Sequence, residues 1–185
     1  YVFNCCISLK ELDLSFFETK YITELKATFQ ECNSLERINF TNFDTSKVVR
    51  TDYMFYDCQA LTSLDLSGFN LENLKNSDNM FAYCEKLKEI KFNNNTSTKK
   101  LESIERIFEK CYSLETINTK IFRENKLSNL NYAFNYCSSL KEIDLSYFET
   151  KYITEFKYTF DKCFGLLNFN LTHFDTSKVT RMDYM

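Results

Sequence analysis

The chain has 185 residues, of which 44% are hydrophobic and 17% aromatic, and a formal net charge of −3. That is enough apolar material to bury a core, and it excludes a disordered chain and the basic footprint of a nucleic-acid binder. No run of 18 apolar residues occurs, so no membrane insertion is expected in this segment.

Seven of the eight cysteines recur at a fixed step: Cys6, Cys32, Cys58, Cys84, Cys111, Cys137 and Cys163 lie 26 residues apart, with one step of 27 after Cys84. A phenylalanine stands three residues before each, at Phe3, Phe29, Phe55, Phe81, Phe108, Phe134 and Phe160, and a leucine three residues after. A constant period of this length marks a stacked array of repeats. Neither CxxC pairs nor HxxxH spacing is present, and there is one histidine, so no metal or cofactor is expected.

In chain order, the first repeat alternates apolar and polar residues at Leu12-Asp13-Leu14, which predicts a short strand with one buried face. Ile22, Leu25, Phe29 and Cys32 follow at i, i+3, i+7 and i+10, which predicts one face of a three-turn helix. The second and third repeats restate this, with the turn Asp44-Thr45-Ser46 placed to cap a helix. The fourth departs at residues 93–100, where Asn95 replaces a phenylalanine and one residue is added, which reads as a polar loop. The helical stripe returns at Leu101, Ile104, Phe108 and Cys111, and again at Leu127, Leu130, Phe134 and Cys137. The seventh repeat carries Phe160, Cys163, Leu166, Phe169 and Leu171.

Each repeat therefore reads as strand, turn, helix, turn. Strands about 4.8 Å apart and helices about 8–10 Å apart cannot stack as a straight rod. The expected fold is an α/β solenoid, a leucine-rich-repeat horseshoe or superhelix with a parallel concave sheet and convex helices, in about seven coils. Residues 1–185 form a single array. A longer period overlies it: residues 1–54 match residues 132–185 at about two-thirds of positions, and FETKYITE stands at both 17–24 and 148–155. Five repeats thus make a super-repeat of 131 residues, and the chain ends in the phase in which it began. A segment of a longer array is expected.

Three sets of candidate site residues follow. The cysteine ladder reads as buried thiols or as partly disulfide-bonded, with Cys5 off the stripe. Asp13, Asn39, Asp65, Lys91, Asn118, Asp144 and Asn170 should face the concave side, either as a binding surface or as a solvated sheet face. Asn39, Asn94, Asn95 and Asn170 head N-x-S/T tripeptides, possible glycosylation sites in a secreted eukaryotic protein. His173 has no catalytic partner at a recognisable spacing, and no nucleophile–base pair is visible, so no enzyme is expected.

The stretches "LKELDLSFFETKYITELKATFQEC", "FDTSKVVRTDYMFYDCQALTSLDLSGF" and "YCSSLKEIDLSYFETKYITEFKYTF" resemble the 26-residue repeat of BspA-like leucine-rich-repeat surface proteins, mycoplasma-lipoprotein type. The resemblance implies an extracellular or cell-surface protein used for adhesion or scaffolding, without catalysis. Its expected partners are itself, through end-to-end stacking into a fibre or coat, or an extracellular protein or glycan bound on the concave face.

Overall fold

In the computed structural model, which describes residues 1–168 and 170–185, the chain is mostly turns and irregular backbone. Four short strands form two separate parallel pairs. Strand β1 (Glu11–Asp13) pairs with β2 (Arg37–Asn39), and β3 (Ser63–Leu66) pairs with β4 (Glu89–Phe92), each in a register offset by one repeat. Short 3-10 helices occupy Thr119–Phe122, Leu145–Tyr147 and Thr150–Tyr152. Phe169, expected at the strand position of the seventh repeat, lies outside the described residues.

The expected leucine-rich-repeat horseshoe is not formed. There is no seven-coil solenoid with a continuous concave sheet and convex helices, and no α-helix among the described residues. The expectations of adhesion, a filament and a glycoprotein that were attached to that architecture are withdrawn with it.

The backbone of residues 25–32 shows why the helix fails. The amides of Thr28, Gln30 and Cys32 donate back three residues, to the carbonyls of Leu25, Ala27 and Phe29. The amides between them, on Leu25, Ala27, Phe29 and Glu31, donate to Arg50, Asp52, Met54 and Tyr56 in the next repeat. An α-helix uses successive amides for its own i−4 carbonyls. Here every second one is spent on the neighbouring repeat. Residues 51–58 do the same toward Asn76, Asp78, Met80 and Ala82.

This alternation requires a change of backbone hand every four residues. The pairs Ala27 and Glu31, Tyr53 and Asp57, Asn79 and Tyr83, Arg106 and Lys110, Tyr132 and Tyr136, and Tyr158 and Lys162 all have φ between 50° and 64°. They stand five residues and one residue before each cysteine. A left-handed conformation costs a residue with a Cβ about 1–2 kcal/mol, so the cross-repeat bonds and the packing beneath must over-determine it.

That packing is a column. The rings of Phe3, Phe29, Phe55, Phe81, Phe108, Phe134 and Phe160 stack in succession, with centroids 5.4–5.7 Å apart and planes within 2–24°. The middle five, with Cys32, Cys58, Cys84, Cys111 and Cys137, have 0% exposure. Thr19, Thr45 and Thr150 of the FETK and FDTS stretches are buried and bridge repeats. Thr19 accepts the Asp44 amide at 2.7 Å, Thr45 accepts that of Asn70 at 2.8 Å, and Thr150 accepts that of Asp175 at 2.9 Å. The predicted helix cap at Asp44-Thr45-Ser46 is instead a turn, closed by the Ser46 amide donating to Asp44 Oδ1 at 2.8 Å.

Candidate functional site

The four strands turn alternate side chains outward. Glu11 and Asp13, Arg37 and Asn39, Ser63 and Asp65, and Glu89 and Lys91 are exposed, while Leu64 and Ile90 between them are buried. A shallow trough of about 640 Å³ runs across β1, β2 and β3. It continues into a second hollow of about 550 Å³ behind β2, where Ile38, Asn39 and Asp65 line both and Gly68 leaves one side open. A Cβ on Gly68 would meet no atom within 4 Å.

The residues expected on this face are held by their own backbone. Asp13, Asn39, Asp65, Asn118, Asp144 and Asn170 each accept the amide two residues ahead, at 2.9–3.2 Å. These contacts turn the chain away from the strand line. Lys91 cannot accept, and in the fourth repeat Asn93 supplies the turn instead, taking the Asn95 amide at 2.9 Å. Hydrogen bonds from Ser15, Ser67 and Ser146 hold the carboxyls of Asp13, Asp65 and Asp144 below the usual carboxylate range. Across repeats, Asn39 Nδ2 donates to Asp13 Oδ1 at 3.1 Å, and Arg37 pairs with Glu11. The face thus presents fixed polar groups at one-repeat intervals, an arrangement suited to contact rather than to proton transfer.

The N-x-S/T asparagines Asn39, Asn94, Asn95 and Asn170 are all exposed. The carboxamide oxygens of Asn39 and Asn170 each accept both the amide and the hydroxyl of the threonine two residues on, at 2.7–3.0 Å. Asn94 Oδ1 accepts from Asn118 Nδ2 at 3.0 Å. His173 is exposed on a turn.

All eight cysteines are free thiols. Cys5 is exposed, has φ of 57°, and points its Sγ at Asn4 Oδ1, 3.0 Å away. The ladder cysteines do something the sequence did not reveal. Each thiol from Cys32 to Cys163 donates to the carbonyl of the ladder phenylalanine in the preceding repeat: Cys32 to Phe3, Cys58 to Phe29, Cys84 to Phe55, Cys111 to Phe81, Cys137 to Phe108 and Cys163 to Phe134, at 3.0–3.2 Å. The same carbonyls also accept the backbone amide three residues on. The constant Phe-to-Cys interval was the available signal, since one carbonyl serves a donor in its own repeat and one in the next.

The family model described as "Mycoplasma protein of unknown function, DUF285" matches residues 1–122 and, again, residues 102–185. The chain belongs to this family. No curated protein matches it. In this DUF285 chain the double match fits the sequence's longer period, since the second match includes the residues that restate the first 54. No helix among the described residues is long and apolar enough to cross a membrane.

Proposed function

We propose that this DUF285 chain is a non-catalytic, extracellular structural scaffold whose repeats associate face to face with further copies of the same repeat. The observation that carries the reading is where apolar surface remains. Of the large hydrophobic side chains that are exposed, Tyr1, Val2, Ile7, Phe16, Phe17 and Tyr21 belong to the first repeat, and Phe164, Leu167, Met182 and Tyr184 to the last. Among the described residues only Tyr152 lies elsewhere. Interior repeats carry polar residues or glycine at several of the corresponding positions, such as Asn42 and Gly68 for Phe16 and Lys141 for Leu167, and join their neighbours through a recurring set of backbone bonds. A repeat supplied by a second chain would meet the same chemistry. The finer resemblance to BspA-like surface proteins supports an extracellular place. The thiol ladder suits one too, because buried thiols bonded to carbonyls resist oxidation.

Sedimentation velocity over a concentration series tests the association. The sedimentation coefficient is expected to rise with concentration, and Phe164→Asp with Leu167→Asp, both on exposed side chains, should hold the chain monomeric with an unchanged circular-dichroism spectrum. A wild-type chain that stays monomeric to about 100 μM, a concentration at which even a weak interface is populated, would refute it. The runner-up reading, recognition of an extracellular protein or glycan, is favoured by the polar trough over β1 to β3. Substitutions at Asp13 and Asp65 that abolish capture of a ligand without altering sedimentation would favour that alternative.

A further inference from the structure

One edge of the array can be followed bond by bond. Segments 23–25, 49–51, 75–77 and 102–104 lie side by side as parallel bridges, from Glu24 to Arg50 to Asn76 to Ser103. Segments 128–130, 154–156 and 180–182 do the same, from Asn129 to Glu155 to Arg181. Each of these steps is closed by two backbone bonds of 2.8–3.1 Å, as where the Leu25 amide donates to Arg50 and the Val49 amide to Thr23. The step from 102–104 to 128–130 has neither bond. No bridge joins Ser103 to Asn129, and the amides of Ile104 and Ser128 make no hydrogen bond among the described residues. Ile104 has 0% exposure, so bulk water does not take the place of the missing carbonyl.

Other irregularities gather at the same place. Phe108 and Phe134, which face each other across this step, are tilted by 24°, where the other pairs of the ladder lie within 2–16°. A second ring column, Phe43 on Phe69 and Phe122 on Phe148, lacks a ring where the exposed Asn95 stands. A small apolar cavity of about 20 Å³ lies nearby, lined by Phe92, Leu101, Ile107 and Phe122 among others. Residues 115–118 form no strand to continue β4. The local sequence agrees. Four of the edge segments open with a β-branched residue, Thr23, Val49, Thr154 and Thr180, whereas those at the break open with Glu102 and Ser128.

We propose that this step is a hinge built into the array, at which the edge between Ser103 and Asn129 opens and closes while the repeats on either side keep their internal bonds. The pivot is what still crosses the step. The amides of Arg106, Phe108 and Lys110 donate to Asn131, Ala133 and Asn135 at 2.8–3.0 Å, and Thr119 Oγ1 donates to Asp144 O at 2.6 Å. The Arg106 guanidinium lies on the Tyr132 ring, and Phe122 stacks on Phe148 at 5.1 Å. A step that has lost two of its backbone bonds opens at a lower free energy than its neighbours, and local opening is confined to such places. A few residues that absorb the change are enough for bending of this kind. The trough over β1 to β3 lies wholly on one side of the hinge, so bending leaves its shape unchanged and alters only how the repeats beyond Ser128 are presented.

Native-state amide exchange, followed by NMR on the whole chain, tests the hinge. The amides of Phe81, Phe108 and Phe134 are equivalent: each donates to the next repeat at 3.0 Å, on a residue of 0% exposure. Only that of Phe108 crosses the open step, so it is expected to exchange about ten-fold or more faster than the other two. Equal protection at all three would overturn the proposal. So would protection that falls steadily from Phe81 to Phe134, the pattern of fraying from an end. Glu102→Thr with Ser128→Val, both at exposed positions, gives the two segments the β-branched residues of their neighbours. The double variant should bring Phe108 back to the protection of Phe81. A folded variant in which Phe108 still exchanges fast would show that the missing edge bonds are not the cause, and would equally sink the idea. The comparison among the three wild-type amides stands even if the variant does not fold.

Discussion

Replacing Cys84 separates two descriptions of the thiol ladder. Cys84 has 0% exposure, and its Sγ donates to Phe55 O at 3.0 Å. Cys84→Ala removes one buried heavy atom, worth roughly 1 kcal/mol in lost burial and cavity formation. It also removes a hydrogen bond worth about 0.5–1.5 kcal/mol. The Phe55 carbonyl keeps the Cys58 amide as a donor, so it is not left bare. The expected loss is about 2 kcal/mol, read as a lowered urea midpoint followed by circular dichroism. The serine variant decides the mechanism. If the thiol serves as a donor, Cys84→Ser retains that function and costs less than alanine. If it serves only as a small apolar filler, burying a hydroxyl makes serine the worse of the two. Cys6 is half-buried at the end of the ladder, and no such bond from its thiol to a preceding repeat is present among the described residues, so Cys6→Ala should cost under about 0.5 kcal/mol. Equal losses at Cys6 and Cys84, or a serine variant weaker than alanine, would refute the donor role.

Three further outcomes are expected. Burial pushes the ladder thiols up from an ordinary value of 9.0, Cys32 to about 11 and Cys163 to about 12, with Cys58, Cys84, Cys111 and Cys137 well above it. Above pH 9.0 the unfolded chain loses these protons while the native chain keeps them, so stability is full below that pH and falls as pH rises toward 11 and 12. A urea midpoint that does not drop between about pH 8 and pH 10 would contradict this linkage. Gly165→Ala would place a Cβ 2.8 Å from Ser138 O and 3.1 Å from Leu140 O, both backbone atoms of the preceding repeat, and should cost about 1–3 kcal/mol. Gly68→Ala meets nothing and should be neutral or slightly stabilising by thermal melting. Lys162→Gly, at an exposed position with φ of 62°, relieves a left-handed side-chain clash and should raise stability by about 1 kcal/mol. A drop in melting temperature there would show that the Lys162 side chain matters more than its backbone.

The periodic residues made the register legible. The positions of Phe29, Cys32 and Leu35 named the core column, and Leu12-Asp13-Leu14 named a strand. The helix was misread because the stripe Leu25, Phe29, Cys32 is equally produced by two successive turns that change hand at Ala27 and Glu31. Sequence reading looks for glycine at such positions. Here they are occupied by tyrosine, lysine, arginine, glutamate and aspartate among others, and the chain's two glycines lie elsewhere. What favours the left-handed residues is a bond to a chain segment 25 or 26 residues away, which no local pattern encodes. The turn-forming role of Asp13 and its equivalents was within reach, since aspartate or asparagine two residues before serine or threonine is a recognised local hydrogen-bonding arrangement.

The fourth repeat carries one residue more than the rest, and the cost is absorbed at a single place. Between Cys84 and Cys111 the surplus lies in the stretch 93–100, which is exposed apart from the half-buried Thr96 and Ser97 and the buried Thr98, after which the ladder resumes with Cys111 bonding to Phe81 across 30 residues instead of 29. Elsewhere the thiols from Cys32 to Cys163 and the ladder rings have their partners at a nearly constant distance along the chain. Adding or deleting a single residue within a turn segment would misalign a donor from its acceptor on both sides at once. Excising a whole repeat would join two segments that already fit each other. The length of such a chain is therefore quantised: a gene can shorten or extend it in whole units, and smaller changes survive only where the ladder does not run.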